Sequence, residues 1–181
     1  MLEVITGPMY SGKSEELSRR LRRAEIARLK VVAFKPSVDD RWPGDVIKTH
    51  SGHEIPCLVC ANSVDLFAAA VEYDVIGVDE VQFYDDAVYS LLRSLASMDK
   101  TVIVAGLDMT YRAEPFGMVP YLMAVAEKVD KLTAICHVCG SEATRTQRLI
   151  DGSPAPFSGP TVLVGASEAY QARCSRCFEV G

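Results

Sequence analysis

The chain has 181 residues, 49% of them hydrophobic, with 24 acidic against 19 basic side chains and a formal net charge of −5. That length holds one domain, or one domain with a small appendage, and the apolar fraction supplies a real core, which excludes global disorder. The acidic balance argues against a sequence-independent DNA or RNA binder, and no apolar run approaches the ~20 residues that span a bilayer, so neither a nucleic-acid polymer nor a membrane is an expected partner.

The first apolar run, Leu2-Glu3-Val4-Ile5-Thr6, reads as a strand that enters Gly7-Pro8-Met9-Tyr10-Ser11-Gly12-Lys13-Ser14 and then a charged, Leu-punctuated segment. This is the G-x-x-x-x-G-K-[ST] spacing of a phosphate-binding loop. Glycines let the backbone fold tightly so that successive N–H groups face a phosphate, and the following helix adds the positive end of its dipole. Lys13 then serves as a point charge for the outer phosphates, and the Ser14 hydroxyl is a hard oxygen suited to Mg²⁺. From Ser14 to Leu29 the apolar positions Leu17, Leu21, Ala24 and Leu29 fall at helical spacing. The basic run Arg19-Arg20, Arg22-Arg23 on that helix reads as a solvated face or an oligomer contact before it reads as a nucleic-acid site.

Val31-Val32-Ala33-Phe34 predicts a short buried strand ending at Pro36, and the polar stretch from Ser37 to Glu54, with Pro43, Gly44 and Gly52, predicts a mobile loop. Cys57-Leu58-Val59-Cys60 lies in a strand-like apolar run, where alternation sends the two thiols to opposite faces; ordinary core cysteines and a redox pair both remain open. Asn62 and Asp65 resemble a helix cap ahead of Leu66 to Val71. Val75-Ile76-Gly77-Val78 predicts a strand ending in Asp79-Glu80, Ala87 to Met98 a helix, and Thr101 to Ala105 a further strand. Strands alternating with helices imply right-handed crossovers and a parallel sheet covered on both faces, with its ligand at the carboxyl ends of the strands.

Asp79, at the end of such a strand, is placed to hold Mg²⁺ directly or through water. The neighbouring Glu80 projects differently and is free to accept a proton, from water in an ATPase or from a substrate hydroxyl in a kinase; the dyad alone does not choose.

The alternating pattern stops near Lys131. Cys136-His137-Val138-Cys139 and Cys174-Ser175-Arg176-Cys177 then enclose 34 residues, including a loop with Pro154, Pro156, Gly159 and Pro160. Nothing at the N-terminus has the basic region and long apolar stretch of a signal peptide, so a cytoplasmic location is expected and the paired C-x-x-C units point to metal rather than disulfides. Four thiolates, Cys136, Cys139, Cys174 and Cys177, give a closed, structural Zn²⁺ site with His137 a bystander.

These pieces together resemble the type II thymidine kinases, over nearly the whole chain. The likeness rests on Gly7 to Ser14; on Asp79-Glu80-Val81-Gln82-Phe83; on Gly106-Leu107-Asp108-Met109-Thr110-Tyr111 with Pro115-Phe116-Gly117; and on Val164 to Tyr170 leading to Cys174 and Cys177. The resemblance implies ATP-dependent phosphorylation of the thymidine 5′-hydroxyl, with deoxyuridine as a second candidate acceptor, in nucleotide salvage. It makes Glu80 the general base, gives ATP and Mg²⁺ to the loop from Gly7 to Ser14 with Asp79, and lines the nucleotide site with Asp79, Glu80, Val81 and Gln82. Thr161, Val162, Leu163, Val164 and Gly165 would form a lasso whose backbone grips the thymine, with Tyr170 packed on the nucleoside. Met9, Phe83, Leu107, Tyr111, Phe116 and Thr146 match positions around base or sugar, and Asp39, Arg41 and Arg148 match polar positions near sugar or phosphates.

Two departures stand out: the lasso reads Gly165-Ala166 where the family has two glycines, and Trp42 follows Asp39-Asp40-Arg41 where the family has Tyr. The resemblance also implies dTTP feedback inhibition and a homotetramer, for which the apolar helix around Val88 to Leu95 is a candidate contact. The expected architecture is α/β: a P-loop NTPase-like, RecA-like parallel sheet flanked by helices over residues 1–131, then a small β-rich zinc-ribbon lobe with the lasso over 132–181. Two other readings compete. One is a P-loop ATPase or switch whose zinc lobe binds a partner; the other, weakened by the acidic background, is a nucleic-acid contact through Arg145, Arg148, Arg173 and Arg176.

Overall fold

Short Val- and Ile-rich runs alternate with amphipathic segments, and in the computed structural model, which describes residues 1–38, 45–48, 54–161 and 169–181, each becomes an element. In order these are β1 (Leu2–Thr6), α1 (Lys13–Ile26), β2 (Val31–Pro36), β3 (Val46–Lys48), β4 (Glu54–Pro56), β5 (Leu58–Cys60), α2 (Ser63–Ala70), β6 (Val75–Val78), α3 (Val88–Ser97), β7 (Thr101–Gly106), α4 (Val119–Val125) and β8 (Lys128–Lys131). Then follow β9 (Ala134–Ile135), β10 (Glu142–Ala143), β11 (Arg145–Ile150), β12 (Ser153–Pro154) and β13 (Ala169–Arg173). Asp39, Arg41, Trp42, Val162, Leu163, Val164, Gly165 and Ala166 lie outside the described residues.

The main sheet has the order β5-β2-β6-β7-β1-β8 with every pairing parallel. Because β7 lies between β1 and β6, the glycine loop after β1 and Asp79 after β6 open at the same carboxyl edge, on either side of the end of β7. Side-chain alternation divides the core. Val4, Phe34, Ile76, Val78, Val102 and Val104 pack with Leu66, Leu92, Leu95 and Leu122 on the face of α2, α3 and α4. Ile5, Ala33, Val75, Ile103 and Ala105 pack with Leu17 and Leu21 of α1 on the other. Gly77 lets α1 approach: a Cβ there would lie 2.7 Å from Leu21 Cδ1. Cys57 joins the α1 face and Cys60 the opposite one, as alternation requires.

Asn62 caps α2 as its residue type predicts, its side chain accepting from the Asp65 amide at 2.9 Å. Elsewhere the sequence expectations need correction. α1 stops at Ile26, and Leu29 is exposed beyond it. The polar stretch expected to be a loop from Ser37 to Glu54 contains β3, which pairs antiparallel with β4 and buries Ile47. Lys128-Val129-Asp130-Lys131 is an edge strand whose side chains are mostly exposed, so no apolar run marks it. The apolar side of α3 is taken up internally: Val88, Leu92 and Leu95 are fully buried in this chain's own core and so are not available as an oligomer contact.

Behind the glycine loop, the Arg20 side chain, 8% exposed, sits among three carboxylates. It donates to Glu16 at 2.8 Å, to Asp130 at 2.5 Å and to Glu3, tying α1 to β1 and β8. Hydrogen bonds from Arg19 and then Arg20 hold the Glu16 carboxyl down to about 2, and Arg20 holds Asp130 below the usual carboxylate range. Replacing Arg20 by Met is expected to destabilise the fold by about 3 kcal/mol, because the carboxylates are left facing one another half-buried. A carboxylate with a depressed folded pKa contributes stability that is complete above its ordinary value, here 4.5, and fades as pH falls toward 2. Thermal unfolding midpoints should therefore fall across that window, more steeply in the parent than in R20M; equal slopes would remove the cluster from the account.

Candidate active site

Turning from β1 into α1 needs two special backbone positions. Gly7 has φ +142°, and a Cβ there would lie 2.4 Å from the Leu132 carbonyl oxygen, so no other residue fits. Gly12, at φ 83°, takes the N-cap of α1 and offers no side chain to the first amides of the helix, whose dipole end is where an anion is favoured. Lys13, largely buried, lies across its own loop with Nζ donating to Pro8 O at 2.8 Å, and Ser11 Oγ donates to the same carbonyl at 2.8 Å. Ser14 Oγ donates to Asp79 Oδ2 at 2.9 Å, joining the loop to the end of β6. A hydroxyl and a carboxylate oxygen at this spacing are hard donors that fit Mg²⁺.

The chain leaves β6 sharply. Glu80 adopts φ 50°, ψ 41°, a left-handed conformation that a residue with a side chain rarely takes, and its amide donates to Asp79 Oδ1 at 3.0 Å. The two adjacent acids are thereby sent apart. Asp79 meets Ser14, whereas the buried Glu80 carboxylate accepts from Gln82 Nε2. Gln82 Oε1 in turn accepts from the Leu107 amide at 3.0 Å.

Glu80 stands at the wall of a cleft of about 160 Å³. From the loop side the wall is Met9, Tyr10, Gly12, Lys13 and Ser14; across it stand Phe83, Leu107, Tyr111 and Phe116, and from the C-terminal lobe Thr146 of β11, Tyr170 of β13 and Thr161 between β12 and β13. Phe83 and Phe116 meet edge to face with ring centroids 5.7 Å apart. The Met9 amide donates to Thr146 Oγ1 at 3.0 Å, which bonds the glycine loop directly to β11.

Of the described residues singled out by sequence, Gly7, Pro8, Ser11 and Asp79 shape the loop and the end of β6 without lining the cleft, and Val81, Gln82 and Arg148 are buried away from it. Val81 is 1% exposed and belongs to the core beneath α3. Gln82 is buried between Glu80 and Leu107. Arg148 is also buried, its Nη1 donating to Pro160 O at 2.7 Å and its guanidinium 5.0 Å from the Tyr111 ring centroid, so it braces that ring from behind and offers no charge to a nucleic-acid surface.

The sequence pattern did not single out Glu15, Met109 and Thr110, which also line the cleft, or Arg112. Met109 and Thr110 lie inside the Gly106 to Tyr111 segment, which was the available signal; Glu15 reads as a first-turn acid of α1. The Arg112 guanidinium lies 4.8 Å from the Tyr111 ring centroid, donates Nε to Phe157 O at 2.6 Å and Nη1 to Thr161 Oγ1 at 3.0 Å, and bonds Gly159 O. It holds the 156–161 segment against the cleft. An isolated arginine in a loop carries no sequence mark of that role.

Beyond the main sheet, β9 pairs with β10, and β11 with β12 and β13. The first knuckle is closed by the Gly140 amide donating to Cys136 O at 2.9 Å, with Gly140 at φ 71°, and the second by the Cys177 amide donating to Cys174 O at 3.1 Å. The sulfurs of Cys136, Cys139, Cys174 and Cys177 lie within 4.8 Å of one another, with Cys139 and Cys174 3.6 Å apart. That separation is far from a disulfide and close to the edge of a tetrahedral thiolate site, so the four fit zinc. His137 is not part of the group.

Comparison with known proteins shows the family and the fold. The family model described as thymidine kinase matches residues 1–178. Among solved structures, the flagellar accessory protein FlaH from Methanocaldococcus jannaschii aligns with a TM-score of 0.53 at 14% identity, over 78% of this chain and 74% of that one. AMPPCP-bound DnaA from Aquifex aeolicus aligns with a TM-score of 0.41 at 14% identity, over 71% of this chain but only 39% of DnaA. The FlaH likeness shows a shared P-loop NTPase-like fold.

Proposed function

The chain belongs to the thymidine kinase family, and from that premise we propose that it transfers the γ-phosphoryl group of ATP to the 5′-hydroxyl of thymidine, giving dTMP and ADP. The observation that carries this reading is the position of Glu80, buried at the junction of the glycine loop and the aromatic cleft. In this scheme residues 1–131 bind ATP, and residues 132–181 supply the zinc lobe and much of the nucleoside side.

The loop amides and Lys13 would hold the β- and γ-phosphates, and Ser14 and Asp79 would hold Mg²⁺, which when bound supplies positive charge that offsets the charge of the phosphates. Glu80 accepts the proton of the 5′-hydroxyl as that oxygen bonds to the γ-phosphorus, and the bond from phosphorus to the β,γ-bridging oxygen breaks with its electron pair leaving on ADP. Phe83, Phe116, Tyr111 and Tyr170 supply flat apolar surface for a base and sugar. Asp39, Arg41 and the 162–165 backbone are proposed as further nucleoside or phosphate contacts.

The same reading makes dTTP a feedback inhibitor, since it joins a thymidine for the cleft to phosphates for the loop, and takes the assembly to be a homotetramer in the cytoplasm. Among the described residues no helix is long and apolar enough to cross a membrane.

A panel of nucleosides assayed with ATP and Mg²⁺ tests the proposal. ADP formation should depend on thymidine, with deoxyuridine weaker and purine nucleosides inert. Slow ATP hydrolysis indifferent to every nucleoside would replace it with an ATPase or switch.

A further inference from the structure

We propose that Gln82 is a positioning residue: its side-chain amide fixes the Glu80 carboxylate in place and locks it to the pocket wall at Leu107. The inference rests on the kinase reading above and departs from the sequence expectation that Gln82 contacts the nucleotide.

The orientation of the amide follows from hydrogen-bond chemistry. The Leu107 N–H can only donate, so the Gln82 atom 3.0 Å from it is the carbonyl oxygen Oε1, and the NH₂ group is left to face Glu80 Oε2. A carboxylate has acceptor capacity for about four hydrogen bonds, so one held oxygen does not prevent it from taking a hydroxyl proton. A glutamate side chain has three torsions to fix; at a left-handed backbone position in a turn, the amide supplies a tether that the backbone alone does not.

The surroundings are shaped for this amide. A Cβ at Gly106 would lie 2.5 Å from Gln82 Oε1, and one at Gly117 would lie 2.9 Å from the Gln82 carbonyl oxygen. Gly106 is therefore glycine for space, while Gly117 also has φ +51°. Gln82 is 4% exposed, so ATP in solution does not reach its side chain directly. The Gln82 side chain thus joins Glu80 to the Gly106-Leu107 segment, while Gly117 packs against the Gln82 backbone. A shift of the nucleoside wall at Leu107 is thereby carried to the base.

The test is a double-mutant cycle of Q82M with E80Q, read as kcat and both KM values. If Gln82 acts through Glu80, Q82M lowers kcat on the order of 10²-fold, the loss expected when a reacting group is misplaced by about 1 Å, while KM for thymidine and for ATP stay within about threefold. In the E80Q background the same change costs less than about threefold, because the base it served is already gone. Full multiplicative losses, or a raised KM for ATP at parental kcat, overturn the inference.

Gln82→Glu gives a second reading should the Met variant fail to fold. It keeps the size and the acceptor for Leu107 but turns an anionic oxygen toward Glu80, so it should also lose kcat; parental turnover would contradict the role. If the unaltered protein forms no ADP in response to thymidine, the functional reading fails separately. The positioning claim is then decided by crystal structures of parent and variant, supported by a Glu80 carboxylate that moves by about 1 Å or more and overturned by one that stays in place.

Discussion

Glu80→Gln is expected to lower kcat for thymidine phosphorylation by about 10² to 10⁴-fold, the range for loss of a general base, while thymidine and ATP bind within a few-fold of the parent. The substitution is close to isosteric, and its carbonyl oxygen still accepts from Gln82, so the turn at φ 50° and the Ser14–Asp79 bond persist. What disappears is the ability to take the proton as the oxygen attacks phosphorus. Loss of kcat without loss of binding is the signature of an interaction used only in the transition state. Binding by titration calorimetry and turnover by ADP release, on one preparation, separate the two. Turnover at the parental rate would remove Glu80 from the chemistry.

Cys174→Ser should produce an effect of similar size by another route. The cluster beside the knuckles consists of Ala134, Ala143, Ala172 and the cysteines themselves, too little apolar surface to order three short hairpin strands. Zinc binding to four thiolates is worth about 10–16 kcal/mol in small peptides, and here that energy stands in for the missing core. The fit is good in distance but calls for a cation: the Cys174 backbone amide holds the Cys136 thiol down, while the neighbouring sulfurs push Cys177 up, so sulfurs this close oppose one another's ionisation.

The parent should carry a single zinc ion and the variant none. Because β13 runs from Tyr170 to the second knuckle and β11 bears Thr146, losing the metal should remove nucleoside binding and reduce kcat/KM for thymidine by at least about 10³-fold. The six-stranded sheet should keep its amide-exchange protection, since its two cores lie elsewhere. Protection lost equally throughout would mean that the lobe and the sheet fold as one unit.

Much of this architecture was legible before any coordinates. The glycine loop is written in residue types that only that turn accepts, and β2, β6 and β7 are buried on both faces and so appear as uninterrupted apolar runs. Asn62 announced the start of α2, and two C-x-x-C pairs announced the lobe. The failures are local and physical. β8 is an edge strand with charged positions, so the two-sided burial that makes strands visible is missing. The apolar stripe of α3 reads the same whether it meets its own sheet or another subunit, and here it meets the sheet.

In the site, residue type pointed to Glu80 but not to its left-handed backbone, nor to the amide that holds it; the space for that amide depends on Gly106, 24 residues along the chain from Gln82. Arg148 shows the reverse case, a residue legible as polar and functional that proves to brace Tyr111 from inside.

The central claim is that the Glu80 carboxylate meets the acceptor hydroxyl between the phosphate loop and the aromatic cleft. A crystal structure with thymidine and a non-transferable ATP analogue bound together measures this directly. The account predicts a Glu80 carboxylate oxygen about 3 Å from O5′, with O5′ in line behind the γ-phosphorus. A nucleoside seated with its sugar turned away from Glu80, or bound outside the cleft altogether, would contradict it.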